Sequence, residues 1–547
     1  KTRRKAGTRP CIITKMKKRL VSILLCLAMT LTAFTGCGSS DPEEEARSKA
    51  AMEGGSTEGT EEKGATGAEG VFTYAIGGDT GNTLNPLTAD DRWGLMTCHL
   101  LYSPLFYIYA DGTIDYILAE SMEPSEDGLT YTMKLKEGLK WSDGEPLTAD
   151  DVVFTYEEQN KQSENLFIGG EPIVLEKVDD LTVNFKLPSV CASAMEMLTS
   201  EASILPKHCF DGKGTFDINM LEEEVVGAGP YVLDEYQTGQ HLKFTKNPNY
   251  ANGEAKIDTI VYKIIENNDT ATLALQNGEI DAWIGLPDLL DPYQDNESFH
   301  ITNYSEGRVA YMRLNPKTAN MQDKSYREGI LYAMNREEIM VAAYTDKEFF
   351  DLGYSFLPPN NSYYSEDVEK WEQDLDKAKE LTANGSKSLK LCYIEEDQVQ
   401  TNQALTIQAE LKAIGIEVEL VGMNQAAYMK VAYDNENTEY DIYLGGYVMG
   451  VDPDLYSSLF VSSKDNMINY NSAEVDQLFA DGNATLDEAE RAEIYKDVQR
   501  KVSEEAIFYP FGSNLRSLVT SARVGGLEEA KFVPIYTFGD LSKLELK

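Results

Sequence analysis

An apolar run from Leu20 to Phe34, preceded by Lys15, Lys17, Lys18 and Arg19 and closed by Thr35, Gly36 and Cys37, constrains this chain more than any other feature. The run is shorter than the roughly twenty apolar residues that a lasting membrane span needs. A basic start, a short apolar segment and small residues at its end mark a secretory signal, which leaves the rest of the chain to fold outside the cytoplasm. The basic region is complete from Met16 onward, so Met16 is the expected start and residues 1–36 are the expected signal segment. Cys37 then becomes the first mature residue and the expected lipidation site. Phe34 stands where such a lipid-attachment motif usually has Leu, and an ordinary secretory signal with an incidental Cys is the alternative.

From Gly38 to about Gly70 the chain is Gly, Ser, Thr, Ala and Glu with almost no large apolar side chain. Such a segment cannot offset the entropy of ordering. Residues 37–70 therefore read as a flexible acidic tether, holding a soluble body near a membrane through a lipid anchor. The formal charge is -42, and losing the basic signal makes the mature chain more acidic still. That balance excludes nucleic acid as a partner and disfavours anionic lipid.

Seven cysteines are present, of which Cys11 and Cys26 belong to the signal and Cys37 to the anchor. Cys98, Cys191, Cys209 and Cys392 have no Cys-x-x-Cys spacing, so neither a metal site nor a redox motif is indicated. A Cys191–Cys209 disulfide is left open. From Val71 to Lys547 the chain is long enough for two substantial lobes.

Along that body strands alternate with helices. Leu129, Tyr131, Met133 and Leu135 interleave with Thr130, Thr132, Lys134 and Lys136, the period of a half-buried strand. Gly138 and the turn Ser142-Asp143-Gly144 end it, and Thr148 with Asp151 starts a helix bearing Val152, Val153 and Tyr156. A second unit places Leu405, Leu411 and Ile414 on a helix stopped at Gly415, followed by Ile416, Val418 and Leu420 at strand spacing. Further helices are expected around Ile330, Leu331 and Met334, from Asn335 toward Glu338, and from Thr485 with Glu488 toward Ile494, Val498 and Val502. The fold class is α/β, mixed with α+β features.

The segment from Gly128 to Phe154, with Trp141-Ser142-Asp143-Gly144 and Leu147-Thr148-Ala149-Asp150-Asp151, resembles the signature of family 5 extracellular solute-binding proteins. That group contains oligopeptide-, dipeptide- and nickel-binding proteins. Segments Thr83–Leu87, Gly227–Tyr231, Asn247–Tyr250, Leu275–Asp281, Tyr311–Asn315, Tyr326–Arg336 and Tyr440–Tyr447 follow in matching order. The resemblance implies a type II periplasmic-binding-protein fold with a hinge and a split first lobe. Lobe I is expected over 71–305 plus 512–547 and lobe II over 306–511, with crossings near Glu306–Leu314 and Ala506–Phe511. Most signature residues read as structural, with Gly227 and Gly229 supplying backbone freedom.

Mapped residue by residue, the resemblance puts ligand contacts at Trp93, at Tyr311 and Asn315, and at Gly446, Tyr447, Met449 and Asp452. Trp93 and Tyr447 offer flat apolar faces, and either could instead pack in a core. Asp452 could meet a ligand ammonium or could begin the turn at Asp452-Pro453-Asp454. The implied role is that of a lipid-anchored, extracytoplasmic, monomeric substrate-binding protein. It would capture a small solute, by preference a peptide, for the permease of an ABC importer, with no cofactor and no metal. An oligosaccharide or nickel chelate is the alternative solute. An exported glycan or peptide hydrolase is the alternative class: no Gly-x-Ser-x-Gly, P-loop or His-Glu-x-x-His motif is present, and His99, His208, His241 and His300 are scattered.

Overall fold

In the computed structural model the predicted alternation forms a strand over Thr130–Leu135 with Tyr131, Met133 and Leu135 buried. Residues 69–547 are described, apart from 81–83, 90, 164–165, 201–202, 217, 219–224, 435, 463–465, 467 and 469–470. The signal segment, Cys37 and the tether as far as residue 68 lie outside the described residues, as does Thr83. The Thr130–Leu135 strand sits inside a four-stranded antiparallel sheet, between Ala119–Pro124 and Thr182–Lys186, with Val174–Lys177 at the far edge. Thr148 then caps the helix Ala149–Gln162. Its hydroxyl accepts from the Asp150 amide, and the Asp151 carboxylate accepts from the Thr148 amide, which satisfies donors a helix start leaves orphaned.

Gly227 and Gly229 serve a purpose other than the expected freedom of φ. A Cβ on Gly227 would lie 1.8 Å from the Leu101 carbonyl oxygen, and one on Gly229 2.3 Å from that of Leu100. Neither has positive φ, so close backbone approach is what requires glycine there.

The large sheet contains β1 (Val71–Ile76), β2 (Tyr231–Gln237), β3 (His241–Lys246), β4 (Thr259–Ile264), β5 (Ala282–Gly285) and β6 (Phe299–Leu314). It continues with β7 (Phe350–Leu352), β8 (Ser388–Ile394), β9 (Glu417–Met423), β10 (Ile442–Tyr447) and β11 (Phe508–Ser521). The order is β2-β3-β4-β1-β5-β11-β6-β10-β8-β9, with β7 beside β11. β1 runs parallel to β4 and β5, and β8 parallel to β9 and β10. Parallel neighbours need crossover segments, and the helices Asn268–Gln276 and Gln398–Ala413 lie in two of them. Between these halves run the long antiparallel strands β6 and β11. One half covers the sheet with Phe72, Tyr74, Phe244 and Tyr262, the other with Met312, Ile330, Ile407 and Leu444.

The β6–β11 ladder breaks between Ser305 and Val309 and again at Ala310/Tyr311. Gly307 in the first break has φ 65°, and Gly512 opposite has φ 144°, values open to glycine and strained for other residues. Glu306 beside Gly307 is buried, yet it receives Arg92 at 2.8 Å and Arg516 at 2.5 Å. Burial works to raise its pKa, but the two guanidiniums hold the carboxyl below its ordinary range.

Two further local readings differ from the structure, and one left open is decided. On Gln398–Ala413 the buried stripe is Ala404, Ile407 and Leu411, while Leu405 points outward at 52 % exposure. The helix Glu488–Glu504 is capped by Asp487, which accepts from the Glu490 amide, and Thr485 instead ends the preceding helix Ala473–Ala484. No disulfide joins Cys191 to Cys209. The buried Cys191 sulfur lies against Ser193 Oγ at 3.3 Å and Met197 Sδ at 3.8 Å. No helix among the described residues is long and apolar enough to cross a membrane.

Candidate solute-binding site

At the carboxyl ends of β8 and β10, where open α/β sheets place their ligands, lies a cavity of about 400 Å³. β6 contributes Arg308, Tyr311 and Arg313, and β10 contributes Gly445, Gly446 and Tyr447. The turn after β8 adds Glu396 and Asp397, and the helix Gln425–Ala432 adds Tyr428 and Met429. Strand periodicity sets this up: Tyr311 and Arg313 stand two residues apart, so they share one face of β6, while Met312 and Leu314 enter the core on the other.

Tyr311 is buried, with its ring 4.8 Å from Phe508 and 5.5 Å from Tyr447. The glycine pair makes room across the strand. A Cβ on Gly445 would meet the Tyr311 hydroxyl at 2.6 Å, and one on Gly446 would meet the Arg308 guanidinium carbon at 2.4 Å. Tyr447 donates its hydroxyl to the Phe356 carbonyl at 2.6 Å and stacks on Phe508. Its ring is thus fixed before any ligand arrives. Tyr428 donates to the Leu444 carbonyl.

Of the residues singled out in the sequence, Tyr311, Gly446 and Tyr447 come together here; Trp93, Asn315, Met449 and Asp452 are not among the lining residues. Trp93, in the first turn of the helix Arg92–Leu101, lies against Gly77 and Gly78, where a Cβ on Gly78 would meet its Nε1 at 2.4 Å. Asn315 is fully buried, and its amide donates to the carbonyls of Asn437 at 2.9 Å and Tyr440 at 3.1 Å. Met449 packs in the cluster of Phe356, Tyr456 and Phe508. Asp452 pairs with both terminal nitrogens of Arg491, at 2.7 and 2.8 Å, and caps the turn Pro453–Tyr456 through the Asp454 amide.

Groups from another part of the chain hold the loop after β10. Glu196 accepts from the Val451 amide at 3.1 Å, Ser193 Oγ lies 3.4 Å from Asp454, and the Ala192 amide donates to the Asn483 carbonyl at 2.7 Å. Burial pushes the Glu196 carboxyl up to about 7, and burial with the neighbouring Asp452 charge pushes Asp454 up to about 6.

Sequence reading passed over Arg308 and Arg313. The signal was an arginine within the otherwise apolar stretch Ala310 to Leu314, at a position whose neighbours are all buried. Arg313 is 1 % exposed, lies 3.8 Å over the Tyr443 ring and donates through Nη2 to the Ala432 carbonyl at 2.8 Å. Away from the cavity, donor atoms of Asp143, His208 and Cys209 lie within 4.8 Å of one another, with His208 Nε2 2.8 Å from Asp143 Oδ2. That contact ties the turn after Trp141 to the helix Lys207–Phe210.

A family model described as bacterial extracellular solute-binding proteins, family 5 Middle, matches residues 113–468. The chain belongs to this family. This family 5 protein is 34 % identical to the ABC transporter substrate-binding protein CtaP of Listeria monocytogenes, with a TM-score of 0.81, covering 87 % of this chain and 99 % of that one. It is 33 % identical to a peptide-binding protein AppA from Clostridium difficile, again with a TM-score of 0.81, over 87 % of this chain and 100 % of the other. The oligopeptide-binding protein AppA of Bacillus subtilis is 27 % identical over 536 residues, covering 90 % of this chain and 94 % of that protein. The fold is that of the family 5 periplasmic binding proteins, and the family's members act outside the cytoplasm on solutes.

Proposed function

We propose that this family 5 protein captures peptides between two lobes and delivers them to the permease of an ABC importer. The cavity at the ends of β8 and β10 carries the reading. Tyr311, Tyr428 and Tyr447 line it together with Arg308 and Arg313 of β6 and the carboxylates Glu396 and Asp397 after β8. A chain with an ammonium at one end and a carboxylate at the other suits such a lining, and the named relatives include peptide-, oligopeptide- and dipeptide-binding proteins. Lobe I is 71–305 with 512–547 and lobe II is 306–511. The broken β6–β11 ribbon is the hinge, because a ladder that loses its register between Ser305 and Val309 and again at Ala310/Tyr311 resists bending least there. The contacts from Ala192, Ser193 and Glu196 to Val451, Asp454 and Asn483 then latch the lobes together.

In this reading Cys37 is lipidated after removal of 1–36, and residues 37–70 tether a monomer to the outer face of the cell membrane. The protein is a receptor rather than an enzyme, and it carries no cofactor. A thermal-shift screen with peptide pools, oligosaccharides and nickel chelates tests the solute. A ligand at a hundred times its Kd adds about 2.7 kcal/mol to stability, so a binding peptide pool shifts the melting temperature by several degrees. Response to a sugar or a nickel chelate with silence from every peptide pool would overturn the peptide assignment.

A further inference from the structure

The further question is which part of the solute the cavity recognises, and the charged groups around it differ sharply in how they are satisfied. Other arginines have more partners. The buried Arg491 pairs with Asp452, the half-buried Arg523 pairs with Asp281, and the half-buried Arg92 and Arg516 share Glu306. The buried Arg336 donates to the carbonyls of Pro510 and Lys370 and lies over the rings of Tyr354 and Tyr509. Arg327 has no such ion pair, but its guanidinium donates to the carbonyls of Ala506, Met321, Gln322 and Glu505. Arg313 is satisfied by neither route. Nη2 reaches Ala432, the plane rests on Tyr443, and Nη1 is buried with no hydrogen-bond partner among the described residues.

A buried cation without a counter-ion is unfavourable in a low-dielectric site. Here the unpaired nitrogen belongs to a residue that lines the 400 Å³ cavity. Arg308 lies on the same wall, laid over Gly446, where no Cβ intervenes. Among the described residues neither guanidinium is joined to a carboxylate. The acidic groups of the lining are already engaged: Asp397 caps the helix Gln398–Ala413 through the amides of Val399 and Gln400, and Glu396 accepts from the Gln425 amide.

We propose that Arg313, with Arg308 beside it, receives a carboxylate of the captured solute. In a peptide this is the C-terminal carboxylate or that of an acidic side chain. The assignment rests on the peptide reading and deepens it. A planar guanidinium gives a carboxylate directed donors, which is stronger and more selective than a point charge; Nη1 of Arg313, buried as the structure stands, turns toward the carboxylate as the solute enters beside Arg308. Binding supplies the charge that folding left uncompensated.

The experiment titrates the mature protein with three matched sets of tri- to pentapeptides: free C termini, the same peptides as C-terminal amides, and amides carrying one glutamate side chain. The parent is expected to bind the free acids about tenfold or more tighter than the neutral amides, the scale of one charge-assisted hydrogen bond. Recovery of affinity in the glutamate set assigns the carboxylate to a side chain, and no recovery assigns it to the C terminus. The variants Arg313→Met and Arg308→Gln are expected to narrow the gap between acid and amide, a discrimination that a merely structural arginine would leave unchanged. Should Arg313→Met fail to fold, the variant at the half-buried Arg308, Arg308→Gln, still reads the effect. Equal binding of acids and amides by the parent would overturn this assignment while leaving peptide capture standing. Binding of none of the sets would overturn the peptide reading and this assignment with it.

Discussion

Two arginine sites at the ends of β6 and β10 face similar surroundings and end differently. Beyond β10, Arg491 is clasped by Asp452, which also caps the turn Pro453–Tyr456, and the tyrosines Tyr363 and Tyr495 lie under the guanidinium. Within β6, Arg313 has an aromatic ring and one carbonyl as its partners among the described residues, and no carboxylate. A charge that the fold has already neutralised can hold a loop but has little left for a ligand. A charge that the fold leaves unpaired gains most from one. The sequence marks both positions as charged residues near aromatic ones, and only the partners tell them apart.

The largest expected effect is on the paired site. Asp452→Ala strands Arg491, whose side chain is 5 % exposed, and should destabilise the protein by about 3–5 kcal/mol in urea unfolding, the scale for breaking a buried pair. Arg313→Met removes a charge that has no carboxylate, so its stability should stay within about 1 kcal/mol of the parent in the same assay. A fall as large as that of Asp452→Ala would erase the contrast.

The pH dependence sharpens it further. Glu196 and Asp454, which flank the paired site, have carboxyls raised to about 7 and about 6. The folded state therefore holds protons that the unfolded chain releases near pH 4. Their stabilisation is complete below that value and is lost progressively as pH climbs from about 4 to about 7, on the order of 3 kcal/mol for each group. Glu196→Gln should flatten the decline in melting temperature across that range, and an unchanged slope would show that Glu196 does not cause it. The smallest effect belongs to Tyr447→Phe, which removes the hydrogen bond to Phe356 and should cost about 1 kcal/mol in urea unfolding, because the ring remains stacked on Phe508.

Much of the scaffold was legible because its signals are local. The alternation over Thr130–Leu135, the reciprocal cap of Thr148 and Asp151, and the stop at Gly415 with φ 80° each depend on a few adjacent residues. Errors of a residue or two arose where neighbours compete for one role: Asp487 outbids Thr485 as a cap, and Ala404 with Ile407 displaces Leu405 from the buried stripe. The site was less legible because partners distant in sequence define it. Nothing near Asp452 announces Arg491, nothing near Asn315 announces the carbonyls of Asn437 and Tyr440, and nothing near Arg313 announces that its second nitrogen goes without a partner. Tyr311, Gly446 and Tyr447, which the family resemblance singled out, come together because they lie on two strands that pair directly.

Isothermal titration of one set of free-acid tri- to pentapeptides into the parent, Asp452→Asn and Arg313→Met tests the account most directly. It predicts that Asp452→Asn keeps its Kd within about threefold of the parent, since its charge serves Arg491, and that Arg313→Met loses about tenfold or more. The reverse pattern, with affinity lost at Asp452 and kept at Arg313, would contradict it.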